Sequence, residues 1–200
     1  MEAATGQRPI EGDKAARIVD AMRASVARRG VAASTFDHVA REAQVSRGLL
    51  HYYFGTKERL LAEVVRRDCE LRMQVIDDRL AGAGSADDVI DGLVASLKQT
   101  VVDDPAPVTL VFELFTLSRR NQEIAVEFAE LLRRTRAHVA GLLAEKEAAG
   151  VLRLHAPADA VADVLFSMAD GVAMRMLTER DRDFGPSVLA GVRAVRALID

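Results

Sequence analysis

Between Thr35 and Leu61 the chain reads TFDHVAREAQVSRGLLHYYFGTKERLL. The side chains in it that can do chemistry are donors suited to a polyanion, not an acid–base or nucleophilic set. Arg47 carries a guanidinium that can bridge O6 and N7 of a guanine, and Leu49 offers apolar surface for a thymine methyl. Lys57 stands in the first turn of a helix, where the helix dipole disfavours a cation by about 0.3–1 kcal/mol. A facing phosphate reverses that sign, and the free amides of the same helix start bind anions by themselves. Gly48 falls in the first turn of another helix, at a cost of about 1 kcal/mol relative to alanine. Close approach to another backbone is a sufficient reason for it.

These residues need helices to position them. Ser34 and Thr35 have side-chain oxygens that can cap a helix start, after which Phe36, Val39, Ala40 and Ala43 share one face. Ser46 suits the next N-cap, with Val45 before it and Leu50 after it placed to form a hydrophobic staple. Phe54 is the expected inward anchor of that helix, and Gly55-Thr56 opens the next. Two short amphipathic helices, a tight turn and a third helix are the grammar of a helix-turn-helix, whose recognition helix would carry Arg47, Gly48 and Leu49 into a major groove. A preceding helix is expected from about Asp13 to Arg29, with Ala15, Ile18, Val19, Met22 and Val26 on one stripe and Gly30 as its stop.

The ordered set Gly30, Thr35, Val39-Ala40, Ala43, Val45-Ser46, Gly48, Leu50, Tyr52-Tyr53-Phe54, Lys57-Glu58 and Leu60-Leu61 resembles the signature of the TetR family of bacterial one-component regulators, over about residues 12–65. The resemblance implies that Thr35, His51, Tyr52, Tyr53 and Lys57 hold phosphates while Gly48 lets the helix sit close. It also implies a C-terminal helical bundle in which a small molecule moves the fourth helix and respaces the heads. Ala169-Asp170-Gly171-Val172-Ala173 is similar to the C-terminal regions of BetI-type members. Two positions depart from the family pattern. Gln44 stands where a glycine is usual, and so must take a left-handed backbone. His51 and Tyr53 exchange the usual order of tyrosine and histidine.

Composition bounds the rest. The chain has 200 residues, half of them hydrophobic and 28% charged, which suits a soluble globular protein. Without an 18-residue apolar run or a leader pattern, no membrane span or signal peptide is expected, and the protein is placed in the cytoplasm. The net charge of −3 is unevenly spread: residues 1–60 hold ten Lys/Arg and seven Asp/Glu, an excess of +3, which leaves −6 for the remainder. The basic part coincides with the helix-turn-helix. A lone cysteine, Cys69, excludes an internal disulfide and reads as a structural thiol. His38, His51, His138 and His155 lack metal-ligand spacing, and there is no glycine-rich phosphate loop or serine elbow, so neither an enzyme, a cofactor nor a metal site is expected.

The expected fold is all-α: a flexible segment at 1–10, a three-helix head at 11–65, and an effector-binding and dimerisation domain at 66–200. A helix of close to 25 residues, roughly 37 Å long, starts at Thr56 and is broken by Ala-Gly-Ala-Gly-Ser at 81–85. Further helices are expected at about 86–102, 107–119, 121–149, 157–179 and 186–199. In the helix from Val161 to Leu177 apolar residues cover most of the circumference, which calls for burial on two sides. A dimer seam is therefore expected from Val172 and Met176 with Val188, Val192, Val195 and Ile199 of the last helix. Met73, Phe112, Phe115, Phe128, Phe166 and Met168, with Leu110, are candidates for an apolar effector cavity, and Glu113, Asp170 and Arg175 for its polar handles. The reading is a homodimeric, ligand-responsive repressor of a palindromic double-stranded DNA operator. The alternatives are a ligand-independent or partner-gated DNA-binding protein, and a helical interaction module without DNA binding.

Overall fold

The computed structural model describes residues 13–103 and 105–200, without the side chain of Thr100. The expected flexible segment at 1–10 lies outside the described residues. The chain is all-α in the described residues: α1 Asp13–Ala33, α2 Phe36–Ala43, α3 Arg47–Phe54, α4 Lys57–Ala81, α5 Ala86–Lys98, α6 Ala106–Ser118, α7 Gln122–Ala148, α8 Ala158–Thr178 and α9 Gly185–Val195. α5 runs on into a π-helical turn, Gln99–Asp103. Two compact units meet in sequence between Val65 and Arg66, within α4.

The first unit is built on apolar stripes at helical spacing. Ile18, Val19, Met22 and Val26 of α1, Phe36, Val39 and Ala40 of α2, Leu50 and Phe54 of α3, and Leu60, Leu61 and Val64 of α4 are all buried. Gly30 interrupts α1 with φ 75° and ψ 167°, a backbone open to glycine at little cost, so the stop signal becomes a kink and the helix resumes for three residues. The junction that follows is fixed by a hydroxyl relay. Buried Ser25 donates to Ser34 at 2.9 Å, and Ser34 donates to the Gly30 carbonyl at 2.9 Å. Thr35 then caps α2 by accepting from the His38 amide.

Gln44 takes the left-handed conformation, φ 55° and ψ 47°, and its amide closes on the Ala40 and Arg41 carbonyls. It is the one non-glycine residue with positive φ among those described. Ser46 has the extended backbone of an N-cap, but its hydroxyl makes no capping bond, so the staple side of that expectation rests on Val45 and Leu50 alone.

In the second unit one apolar cluster joins Met73, Ile76 and Leu80 of α4 to Val89 and Ile90 of α5, Val139 and Leu143 of α7, Val161 and Ala162 of α8, and Val195 of α9. A smaller cluster gathers Val101, Val108 and Ala173, with Leu97, Phe112, Met176 and Leu177 packed on it. α9 ends at Val195, earlier than its stripe suggests. The last residues turn back and pair in extended form, His155 N–H donating to the Leu198 carbonyl at 3.0 Å and Asp200 N–H to the Arg153 carbonyl at 3.1 Å. Ile199 is thereby buried although it is no longer helical.

Left-handed backbone costs a residue with a Cβ roughly 1–2 kcal/mol. Gln44→Gly is therefore expected to stabilise the first unit by about 1 kcal/mol, read as a rise in the denaturant midpoint at unchanged slope. A fall in the midpoint would mean that the Gln44 side chain contributes more than its backbone costs.

Candidate nucleic-acid interface and ligand cavity

α3 buries Leu50 and Phe54 and leaves most of its other positions to solvent. Arg47, Gly48, His51 and Tyr52 are exposed, and Leu49 and Tyr53 are half-buried. Tyr52 is 67% exposed, with its ring edge-to-face on Tyr53 at 5.3 Å. Tyr53 also leans on Phe54 at 6.1 Å. Arg47 lies 3.3 Å from Asp37 of α2, each side chain about 60% exposed. A pair so open to water contributes about 0–1 kcal/mol and yields readily to a guanine edge. The His51 ring packs edge-to-face on Phe36 and its Nδ1 donates to the Gly55 carbonyl at 3.1 Å, so Nε2 is the nitrogen left for an outside acceptor or donor.

Gly48 decides which way the surface looks. A Cβ built there would meet only the Ser46 hydroxyl at 3.9 Å, so nothing inside the described chain requires the glycine. Its helical cost is unexplained until something outside approaches the backbone closely.

Lys57 has a second occupation that the sequence does not reveal. Its ammonium donates to the Val31 carbonyl, and at 3.3 Å to the Ala32 carbonyl. A clamp on phosphate therefore uses an ammonium already anchored on the end of α1, with one of its three N–H groups left over. Thr56 caps α4 by accepting from the Arg59 amide at 3.2 Å.

The other histidines have partners of their own. His38 reaches the Ala33 carbonyl at 3.0 Å, His138 lies 2.7 Å from Asp77 and His155 lies 3.1 Å from Asp200. No group of three potential ligands gathers among the described residues.

The second unit holds a cavity of about 160 Å3 between its two apolar clusters, walled by α4, α5, α8 and α9 with single contributions from α6 and α7. Of the expected effector residues it brings together Met73, Phe166, Met168 and Asp170. Phe112, Glu113, Phe115 and Phe128 are elsewhere. Phe112 joins the smaller cluster, Glu113 faces solvent, and exposed Phe115 rests 6.5 Å from buried Phe128 on the outer side of α6 and α7. Leu110 and Arg175 are also absent from the wall. Aromatic character proposed those residues, but the rotation of α6 about its axis decides what they face, and α6 is too apolar all round for its sequence to reveal that rotation.

The residues expected at the dimer seam also have contacts within the chain. Val195 and Ile199 are buried in the chain's own core, Val172, Val188 and Val192 line the cavity, and half-buried Met176 packs on the smaller cluster. A second core side for α8 exists within the chain, so its apolar circumference needs no partner to explain it. The large apolar side chains that α8 and α9 do leave exposed are Val164, Met174 and Leu189.

Arg72 went unnoticed in the sequence. It lies one position before Met73, on the inward stripe of α4, and is one of the cavity-lining residues; its Nη2, like Oδ2 of Asp68 one turn earlier, is buried without a hydrogen-bond partner. A charged residue at a core position of the stripe is the signal that could have found it. Burial pushes the Asp170 carboxyl above its usual range, with Arg72 drawing it back. Burial also raises the neighbouring Cys69 thiol, which disfavours its thiolate.

Residues 18–64 match the family described as bacterial regulatory proteins, tetR family. Over 153 residues the chain is 30% identical to the HTH-type transcriptional regulator BetI of Rhizobium meliloti (strain 1021), with 74% of each chain covered. The chain belongs to the TetR family. Solved structures of the same fold include a TetR transcription regulator from Haloarcula marismortui, TM-score 0.75 and 19% identity over 94% of this chain and 99% of that one. Another is a transcriptional regulator from Saccharomonospora viridis in complex with choline, TM-score 0.69 and 23% identity over 92% and 97%. This TetR-family chain is thus a transcriptional regulator whose helix-turn-helix lies in α2 and α3. No described helix is long and apolar enough to cross a membrane.

For this TetR-family head, Gly48→Ala is expected to raise stability by about 0.5–1 kcal/mol and at the same time to weaken DNA binding. Paired measurements of denaturant midpoint and DNA affinity check it. Stabilisation with unchanged affinity would remove Gly48 from the interface.

Proposed function

We propose that this regulator is a repressor that binds a palindromic operator as a homodimer and is released when a small, largely apolar effector fills the cavity of the second unit. The observation that supports the DNA half is the outward face of α3, where Arg47, Gly48, His51 and Tyr52 are exposed on one short helix after the left-handed turn at Gln44. Arg47 reads a base edge, Leu49 meets a methyl, and Thr35, His51, Tyr52, Tyr53 and Lys57 grip phosphates. Two such heads reach successive major-groove faces when about 34–36 Å apart, so a dimer demands a two-fold symmetric site. The proposed seam uses α8 and α9, whose exposed large apolar side chains are Val164, Met174 and Leu189.

The effector half rests on the cavity and on chain connectivity. Arg72, Met73 and Ile76 of the cavity wall lie on α4, the helix that begins at Lys57 in the head. A ligand releases DNA only through its differential affinity for the two states, and a tenfold loss of operator binding needs about 1.4 kcal/mol of it. The choline of the Saccharomonospora protein belongs to that protein. Here the wall has Phe166 as its single aromatic residue, which makes a poor cage for a quaternary ammonium.

Fluorescence anisotropy on DNA from the chain's own upstream region, across a salt series, tests the DNA half. Arg47→Ala is expected to relax sequence preference and to cost about 1–3 kcal/mol on the preferred site. Lys57→Ala is expected to weaken all sequences alike and to make the salt dependence shallower by about one unit of slope. It should also lower the stability of the head, because two α1 carbonyls lose their donor. Absence of binding to that DNA and to a selected random pool would end the regulator-by-occlusion reading.

A further inference from the structure

We infer that the effector is an uncharged, mainly hydrocarbon molecule of about one ring, and that Met168, seated against Gly191, sets that upper size. This deepens the effector reading given above and rests on it.

Size comes first. The cavity measures about 160 Å3, close to the roughly 150 Å3 void that accommodates benzene. Its wall is chiefly aliphatic, with Ile90, Leu93, Leu165 and Val192 prominent. A single ring or a short alkyl chain fills that space, and the apolar area it removes from water is its source of affinity.

Charge comes next. The wall carries two charged side chains of opposite sign, Arg72 and Asp170. Burial pushes the Asp170 carboxyl up, and Arg72 is the charged neighbour that draws it back. The two therefore answer each other before any ligand arrives. The Arg72 Nη2 that lacks a hydrogen bond is buried and has no surface to offer a ligand. An anion entering the cavity gains the attraction of Arg72 only together with the repulsion of Asp170, and a cation meets the reverse. Either ion leaves its water with no unmatched charge waiting for it, which is costly in a mostly apolar space. A neutral molecule gives up little hydration, and Ser96 and Ser187 are the neutral hydroxyls of the wall.

The limit on size is set where α8 meets α9. Met168 of α8 and Gly191 of α9 both line the cavity. A Cβ built at Gly191 would lie 3.3 Å from the Met168 Cε, closer than the ~3.5–4.0 Å at which two carbons rest. Glycine inside a helix is destabilising relative to alanine, and the seat it leaves for the Met168 methyl is a packing reason for it. Methionine is unbranched with three rotatable bonds. Displaced from that seat, its end moves toward the open side, which is the cavity.

The test uses the full-length protein at neutral pH and four probes. Benzyl alcohol, benzoate and benzylamine share one skeleton and differ in charge, and naphthalenemethanol is a two-ring alcohol. Binding is followed by calorimetry and by thermal shift. Benzyl alcohol is expected to bind at least about tenfold more tightly than benzoate or benzylamine, because neither ion recovers its hydration. It is also expected to bind at least about tenfold more tightly than naphthalenemethanol, which overfills the cavity. Met168→Ala is expected to remove that size preference by opening the wall. Gly191→Ala is expected to weaken benzyl alcohol binding by about fivefold or more by driving Met168 inward. Should Met168→Ala fail to fold, Gly191→Ala decides the size assignment alone, and unchanged benzyl alcohol affinity would overturn it. A size preference that survives Met168→Ala would overturn it too. Either ion bound as tightly as benzyl alcohol would overturn the uncharged assignment and leave the cavity as an effector site. If none of the probes binds the wild-type protein, the effector reading of the cavity fails and this proposal falls with it.

Discussion

The end of α1 is where the head is decided. The Gly30 kink turns carbonyls away from the ordinary helical ladder, and a backbone acceptor left unmet in a packed unit costs about 1–3 kcal/mol. Ser34 answers the Gly30 carbonyl, itself braced by buried Ser25, and the Lys57 ammonium answers Val31 and Ala32. One junction therefore ties α1 to the start of α2 and to the start of α4. With those three helices set, α3 buries Leu50 and Phe54, half-buries Leu49 and Tyr53, and leaves Arg47, Gly48, His51 and Tyr52 exposed. The same lysine that the dipole argument assigns to phosphate is thus also a structural tie. Both uses depend on the positive charge that a helix N-terminus would otherwise disfavour.

Local choices that look costly concentrate on that surface. Gln44 accepts a left-handed backbone between α2 and α3, and Gly48 weakens the first turn of α3, yet neither relieves a clash inside the chain. Residues that break a local rule without internal compensation mark places where function sets the sequence. The Arg47–Asp37 pair fits the same picture, since it keeps a guanidinium neutralised at the surface without holding it there.

The second unit follows a different logic. Its charges mostly stay outside and pair across or along helices, Arg136 of α7 with Asp163 of α8 at 3.4 Å and Arg133 with Glu130 within α7 at 2.6 Å. Its apolar side chains divide into two clusters rather than one, and the cavity is the space the two do not fill. Arg72 is the exception, a permanent charge on the inward stripe of α4 with one donor unmet. Asp68, one turn earlier, likewise has a buried oxygen, Oδ2, without a hydrogen-bond partner.

The helices, their order and the helix-turn-helix were legible in the sequence, because each depends on neighbours three or four residues apart and on caps and breakers such as Thr35, Gly30 and Ser85. The left-handed backbone at Gln44 was legible too, since the turn needs it whatever residue stands there. The partners of Lys57, the placement of Phe112, Phe115 and Phe128 away from the cavity, and the burial of Val195 and Ile199 within the chain were not. Periodicity identifies an apolar stripe but carries no sign of what the stripe faces, and Val31 lies 26 residues from the lysine whose ammonium it binds. Sequence by itself determined the local grammar of a DNA-reading head. Only tertiary structure decided which side chains meet across helices, because that depends on how far each helix rotates about its own axis when the cores close.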